Sequence, residues 1–167
     1  MSTRRKAREF ALRALYAHEM SKNSIDYIIK DLLTDDECLD IKDFCADLVR
    51  LTVKHTVEFD KMIKQKALNW DFERIAILDR IILRIAMCEF LYFGDIPPKV
   101  SIDEAIEIAK IYSTEKSGKF VNGILDSVLS DWQKQKKINK SGRGLFSDSI
   151  RKKNEPFKSS LSKNELA

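Results

Sequence analysis

Apolar residues recur at intervals of three and four positions through most of the first 133 residues of this chain. The stretch from Thr3 to Met20 shows the pattern clearly, with Ala7, Phe10, Ala11 and Ala14 on one helical face. Such spacing is typical of amphipathic helices, whereas strands alternate apolar and polar residues. Only 5 glycines and 3 prolines occur in 167 residues, too few for the turns of a sandwich or barrel. The sequence therefore predicts an all-α fold with six to seven helices.

Helix signals mark most of the expected boundaries. Ser24 is suited to cap a short second helix. The apolar positions from Ile41 to Ile63 predict one helix of more than twenty residues, the longest in the chain. The pattern breaks at 69–71, where Asp71 is suited to cap a strongly apolar helix that runs to about Phe93.

The clearest stop signal is the stretch 94–98, because Pro98 pushes Pro97 out of the helical region. Ser101 and Glu104 then form an S-x-x-E pattern that predicts a capping box. A last helix is expected from about Ser117 to Trp132.

Two units are expected along the chain. Residues 1–133 form a helical domain, with an N-terminal bundle at about 3–68 and a C-terminal bundle at about 71–133. Residues 134–167 contain ten Lys or Arg and three Asp or Glu, a net charge of +7, whereas residues 1–133 carry −3. Few apolar residues interrupt this basic segment, so we expect a largely disordered tail, either solvated or an auxiliary RNA-binding element.

The side chains that catalysis or metal binding requires are sparse. Cys38, Cys45 and Cys88 form no CxxC pair, and His18 and His55 each lie on an apolar helical face. We expect no catalytic residue, metal or cofactor. Without an apolar run that could span a membrane or form a signal peptide, the sequence favours the cytoplasm.

The first turn of the first helix is unusually basic, with Arg4, Arg5 and Lys6 followed by Arg8. Cations there oppose the helix dipole, and such a local conflict indicates function. At 100° per residue, Arg5, Arg8, Leu12 and Tyr16 are expected to share one outward sector. Guanidinium groups neutralise phosphates and a tyrosine ring stacks on bases, so the strip suits single-stranded RNA, although a solvated basic terminus is an alternative.

Two further features stand out. Asp79 lies within an apolar stripe, where a carboxylate needs a partner: either an internal arginine or another protein docked on this surface. The segment 116–123 (KSGKFVNG) places Phe120 beside Lys116 and Lys119. Gly123 in the same helix indicates either a close backbone approach or tight helix packing.

At these residues the sequence resembles the NusB family of bacterial transcription antitermination factors. Four segments carry the resemblance, in family order and at family spacing: 4–16 (RRKAREFALRALY), 79–90 (DRIILRIAMCEF), 95–110 (DIPPKVSIDEAIEIAK) and 116–126 (KSGKFVNGILD).

The resemblance implies two roughly perpendicular helical bundles, no catalysis and pairing with the ribosomal protein NusE. With NusE, the family binds boxA RNA of nascent transcripts, notably of ribosomal RNA operons, together with other Nus factors and RNA polymerase. By position, the implied RNA-binding residues are Arg4, Arg5, Lys6, Arg8, Lys116, Lys119 and Phe120, and the implied NusE contacts are Tyr16 and Asp79. The position of Lys116 is often acidic in relatives, and the tail exceeds the usual family length.

Two alternatives are open. NusB-like domains also occur fused to RNA methyltransferases, but this chain lacks room for a cofactor-binding domain and has no Gly-rich loop. A self-associating scaffold without specific RNA binding would place Leu12 and Tyr16 in a homodimer interface, and a homodimer is also possible when NusE is absent.

Overall fold

Seven α-helices make up the part of the chain that the structure describes. The computed structural model describes residues 3–34 and 41–145, and no strand occurs in these ranges. The helices are α1 (Thr3–Ser21), α2 (Ile25–Leu32), α3 (Lys42–Lys54), α4 (Thr56–Lys66), α5 (Ile77–Tyr92), α6 (Pro98–Tyr112) and α7 (Glu115–Lys134). This confirms the predicted all-α class with six to seven helices.

The apolar helix α5 is the centre of the fold. It packs against α1, α3, α4, α6 and α7. Ile81, Ile82 and Leu83 point to different sides of the helix, because successive residues are 100° apart, and none is more than 2% exposed. A helix that is apolar on every side is stable only when neighbours surround it, so the composition of α5 dictates its central place.

Around α5 the other helices form two groups. Helices α1, α2 and α3 pack on one another, and α6 packs on α7. Helix α4 packs on α5 and α7, so one helix of the expected N-terminal bundle (3–68) has its main partners in the second group.

The single long helix expected from Ile41 to Ile63 is wrong, because the chain breaks at His55 into α3 and α4. Hydroxyls of Thr52 and Thr56 donate to the carbonyls of Leu48 (2.6 Å) and Thr52 (2.8 Å). A threonine hydroxyl that donates to the carbonyl four residues earlier often bends a helix, and β-branched residues have a lowered helix propensity. At the break, the His55 ring stacks on the Tyr92 ring with the ring centroids 4.6 Å apart. The longest described helix is α7, with 20 residues.

Two of the three expected caps differ from the structure. Ser24 caps α2 as predicted, its hydroxyl accepting from the Tyr27 amide at 3.3 Å. Asp71 caps a short 3-10 helix, Phe72–Arg74, rather than α5.

The predicted capping box at Ser101 and Glu104 is also wrong. Helix α6 already begins at Pro98, where the missing N–H of proline costs nothing. Ser101 and Glu104 therefore lie inside α6. Their side chains serve tertiary contacts instead, described below.

The beginning of the basic tail is ordered, contrary to expectation. Ile138 packs against the core, and the Lys140 ammonium donates to the backbone carbonyls of Glu89 and Phe93 at 2.9 and 2.8 Å. Residues 146–167 lie outside the described residues, so the rest of the predicted tail is untested. Within the described ranges, no helix is long and apolar enough to span a membrane.

Candidate nucleic-acid interface

The basic start of α1 is folded onto acidic residues of α6 and of the loop before it. Arg4 donates to Asp95 at 2.7 Å, with its guanidinium 4.9 Å from the centre of the Phe44 ring. Arg5 makes a bidentate pair with Glu104 at 2.7 and 2.9 Å. The hydrogen bond from Arg4 lowers the pKa of Asp95, and the hydrogen bond with Glu104 raises the pKa of Arg5. The arginines are thus held in place at the surface, while Lys6 is exposed.

Arg8 does not project outward, so this part of the predicted strip is wrong. Its side chain is 3% exposed and forms a bidentate pair with Glu89, itself 1% exposed, at 2.8 and 2.6 Å. The Ser101 hydroxyl donates to the same carboxylate at 3.0 Å. Burial alone would lower the pKa of Arg8, but the Glu89 carboxylate outweighs it and the pKa is raised. Arg8 therefore joins α1 to α5 inside the fold.

Leu12 is also buried, with 2% of its surface exposed, because this side of α1 faces α3 and α5. Only Tyr16 of the expected outward sector is well exposed, at 41%. The homodimer hypothesis therefore loses Leu12 as an interface residue. The 100° projection grouped the residues of this sector correctly but placed the sector on the outside. Arg8 and Leu12 are instead buried, like the neighbouring Ala7 and Ala11.

Arg13 is a further basic residue of α1 that was not predicted as a site residue. It is exposed, and its guanidinium lies 5.7 Å from the centre of the Phe10 ring. Lys6, Phe10 and Arg13 follow one another at four and three residues, which is a signal for a shared helical face. The exposed cations of α1 are thus Arg4, Lys6 and Arg13, and Arg5 is partly exposed.

A second candidate feature is a groove of about 380 Å³ between the loop before α5 and the start of α7. Trp70 and Phe120 form an edge-on aromatic pair there, with ring centroids 5.7 Å apart. Trp70 is 60% exposed, and Lys116 lines the same groove. We refer to Trp70, Asp79, Lys116 and Phe120 with the groove they line as the aromatic groove.

Trp70 was missed as a candidate, because in the sequence it only marks a break between helices. An exposed tryptophan beside predicted basic residues is the signal that could have identified it. Lys119 is exposed on the next turn of α7 but does not line the groove.

Asp79 forms part of the wall of the aromatic groove. Its Oδ2 atom accepts from the Ser117 hydroxyl at 2.8 Å, and no described residue donates to its buried Oδ1 atom. The internal arginine expected as one alternative is therefore not its partner among the described residues. The geometry brings Asp79 together with Lys116 and Phe120, and it does not bring Tyr16 into the groove lining.

Helix α6 connects the two features. Glu104, which pairs with Arg5, lies near its start, and Ser113, which lines the aromatic groove, follows its end. The two residues are nine positions apart in the chain, about 14 Å along the helix axis.

The chemistry of this surface is that of binding. Cations at the start of α1 and at Lys116 suit phosphates, and exposed aromatic rings suit unstacked bases. No group of three or more acidic, histidine or cysteine side chains placed to hold a metal occurs among residues 3–34 and 41–145. The expected Gly123 contact is absent there too, since a Cβ added at this residue would have no described atom within 4 Å.

In the described residues, the fold and the surface together define a small helical protein that presents cationic and aromatic side chains. The model of the NusB family matches residues 5–130, and the chain belongs to this family. The resemblance stated from the sequence is thereby confirmed.

The relatives agree with this assignment. The transcription antitermination protein NusB of Salinibacter ruber is 47% identical over 148 residues, covering 87% of this chain and 92% of the relative. The NusB protein of Chloroherpeton thalassium is 46% identical over 145 residues, covering 86% of this chain and 69% of the relative.

Solved structures show the same fold. NusB of T. maritima superposes with a TM-score of 0.71 at 37% identity, covering 78% of this chain and 93% of that one. A chain from the complex of the antitermination factors NusB and NusE with double-stranded RNA superposes with a TM-score of 0.70 at 25% identity, covering 78% and 98%.

Proposed function

We propose that this chain is an RNA-binding antitermination adaptor that pairs with NusE and binds boxA RNA of nascent transcripts, notably ribosomal RNA. The observation that carries the proposal is the aromatic groove, with the exposed Trp70 ring and the partly buried Phe120 ring beside Lys116. The similar fold in a complex of NusB, NusE and double-stranded RNA supports it.

In this proposal the cations contact RNA phosphates and the aromatic rings contact bases. Arg4, Arg5 and Lys6 serve at one end of α6, and Lys116 and Lys119 at the other. Arg4 and Arg5 exchange Asp95 and Glu104 for phosphates, or share them, while the acids keep the guanidinium groups oriented in the free protein. Arg8 supports this end from inside the fold through Glu89.

The aromatic groove favours single-stranded over double-stranded RNA. A base that stacks on Trp70 or Phe120 must leave its own stack, which an unpaired strand permits at little cost. A duplex competitor in the binding assay tests this preference.

The NusE contact in this proposal comprises Tyr16 and Asp79. Tyr16 offers an exposed ring on α1, and Asp79 places a negative charge in the wall of the groove. The Asp79→Asn substitution keeps the shape and the acceptor for Ser117 but removes the charge. We expect it to weaken NusE binding, measured by calorimetry, while the melting temperature is retained. Equal NusE affinity would remove Asp79 from this interface.

The adaptor acts by binding, without catalysis, in the cytoplasm. It operates with other Nus factors and RNA polymerase in a larger complex, and it needs no cofactor. Membership of the family and the binding chemistry of the surface support this part of the proposal.

The direct experiment removes the aromatic rings one at a time. Trp70→Ala and Phe120→Ala should each weaken binding of labelled boxA RNA, measured by fluorescence anisotropy. A stacked base contributes about 1–3 kcal/mol, or roughly five- to 150-fold in affinity. Leu68→Ala is the matched control, because Leu68 is 84% exposed in the same loop but does not line the groove. Equal effects of Trp70→Ala and Leu68→Ala would refute the role of the groove.

A further inference from the structure

The segment after α7 is docked against the end of α5. Helix α7 ends at Lys134, and two residues later Lys136 has a φ of 58°. The Lys137 amide donates to the Trp132 carbonyl at 2.9 Å, so the chain turns back at the end of the helix. Lys140 then donates to the last carbonyls of α5, and the Ser141 amide donates to the Gly94 carbonyl at 3.0 Å. We refer to residues 136–145 as the C-terminal strap.

Close backbone contact holds the strap at Gly144. A Cβ added to this residue would lie 2.1 Å from the Gly94 carbonyl oxygen, far inside van der Waals contact. Because that atom belongs to the backbone, it cannot rotate away as a side chain would. The docked position of the strap therefore requires glycine at 144.

Docking brings Arg143 to the basic start of α1. A groove of about 480 Å³ is lined by Thr3, Arg4, Asp95 and Arg143 among others. Arg4 and Asp95 pair with each other, whereas the exposed Arg143 has no ion pair within the described part of the chain. Arg143 is thus a cation of this groove that no acid neutralises there.

We propose that the C-terminal strap extends the RNA-binding surface, with Arg143 contacting a phosphate next to the one bound by Arg4. The proposal rests on the proposed RNA-binding function and adds a segment beyond residue 130, where the match to the family model ends. The ligand is the backbone of the same RNA, so the contact adds affinity without sequence preference.

The docked position of the strap, and not only its positive charge, is what adds RNA affinity. Residues 134–145 carry five cations and no acid, so any model with a basic extension predicts some gain in RNA affinity. Only a docked strap predicts that a charge-neutral change at Gly144 has the same effect as removal of Arg143.

The experiment measures the salt dependence of boxA RNA binding by fluorescence anisotropy in the full-length chain, with and without NusE. Each phosphate neutralised contributes about −0.7 to the slope of log affinity against log salt. We expect Arg143→Gln to make the slope less negative by about 0.7. Between 50 and 200 mM salt it should therefore lose roughly 2.5-fold less affinity than the wild type.

Gly144→Ala should give the same change of slope, although it alters no charge. Lys137→Gln controls for charge, because Lys137 is exposed on the same strap but does not line the groove, and Gly123→Ala controls for a glycine replacement with open space around it. Circular dichroism checks that the helices are retained in every variant.

A less negative salt slope with Arg143→Gln but not with Gly144→Ala would overturn the proposal, since the charge of Arg143 would then explain the RNA affinity without docking of the strap. Equal slopes for Arg143→Gln and the wild type, with Arg4→Gln still reduced, would also overturn it while leaving the proposed function intact. A wild-type chain that binds no boxA RNA even with NusE would refute the proposed function itself.

Discussion

The buried pair of Arg8 and Glu89 should be one of the costliest interactions to break in this fold. Arg8→Met removes the charge but keeps an unbranched side chain of similar length, and it leaves the Glu89 carboxylate buried with the Ser101 hydroxyl as its remaining side-chain donor among the described residues. Removing one partner of a buried ion pair costs about 3–5 kcal/mol. For a chain of this size the melting temperature should fall by roughly 6–20 °C.

The assay is urea unfolding followed by circular dichroism, with Arg13→Met as the matched control on the exposed face of the same helix. The control should change the free energy of unfolding by about 0.5 kcal/mol or less. The double variant Arg8→Met with Glu89→Met should recover much of the loss, because apolar residues replace a buried pair at little cost. If Arg8→Met is no more destabilising than Arg13→Met, Arg8 is not buried against Glu89 and the structural role assigned to it is refuted.

Three further predictions concern single residues. Burial lowers the pKa of Lys140 to about 8, below the value of about 10.5 in the unfolded chain, so the unfolded state binds more protons between these values. Stability relative to the Lys140→Met variant should therefore rise with pH over this window in urea titrations, and a falling difference would contradict the burial of Lys140. Burial also raises the pKa of Cys88 to about 12, so its thiol should resist iodoacetamide at pH 8 in the folded chain and react after unfolding. Mass spectrometry locates the labelled cysteines, and rapid labelling of Cys88 in the native protein would contradict this. Gly123→Ala should stabilise the chain by about 0.5–1 kcal/mol, because Gly123 lies exposed in α7 with open space for a methyl group; a destabilised variant in urea unfolding would show that the space is occupied.

Local rules predicted those parts of the fold that local interactions determine. The helical period located α1, α5 and α7, and the short polar Ser24 identified the cap of α2. The break at His55 was not predicted, because the apolar period continues through it and only the threonine hydroxyls and the Tyr92 ring reveal it.

The candidate site was harder to predict than the fold, since a helical wheel does not say which face other helices cover. Arg8 and Lys6 are both basic and two residues apart, yet one is buried and the other exposed. Their difference is decided by Glu89, which is 81 positions from Arg8 in the chain. Asp79 was correctly identified as anomalous, but its hydroxyl partner Ser117 depends on the packing of α7 against α5.

The packing of the C-terminal strap could not be predicted from the sequence either. Its composition is that of a solvated tail, and five cations in residues 134–145 predict no packing. Docking arises from the exposed carbonyls at the end of α5, which Lys140 and the Ser141 amide satisfy. Such backbone acceptors carry no side-chain signature in the sequence.

The most direct test of the account is an anisotropy titration of labelled single-stranded boxA RNA with the chain, with and without NusE, against a scrambled RNA at several salt concentrations. The account predicts salt-dependent binding that NusE strengthens, that the scrambled strand does not reproduce, and that Phe120→Ala weakens. Equal binding of both strands, unchanged by NusE, would contradict it and would reduce the basic surface to a nonspecific one.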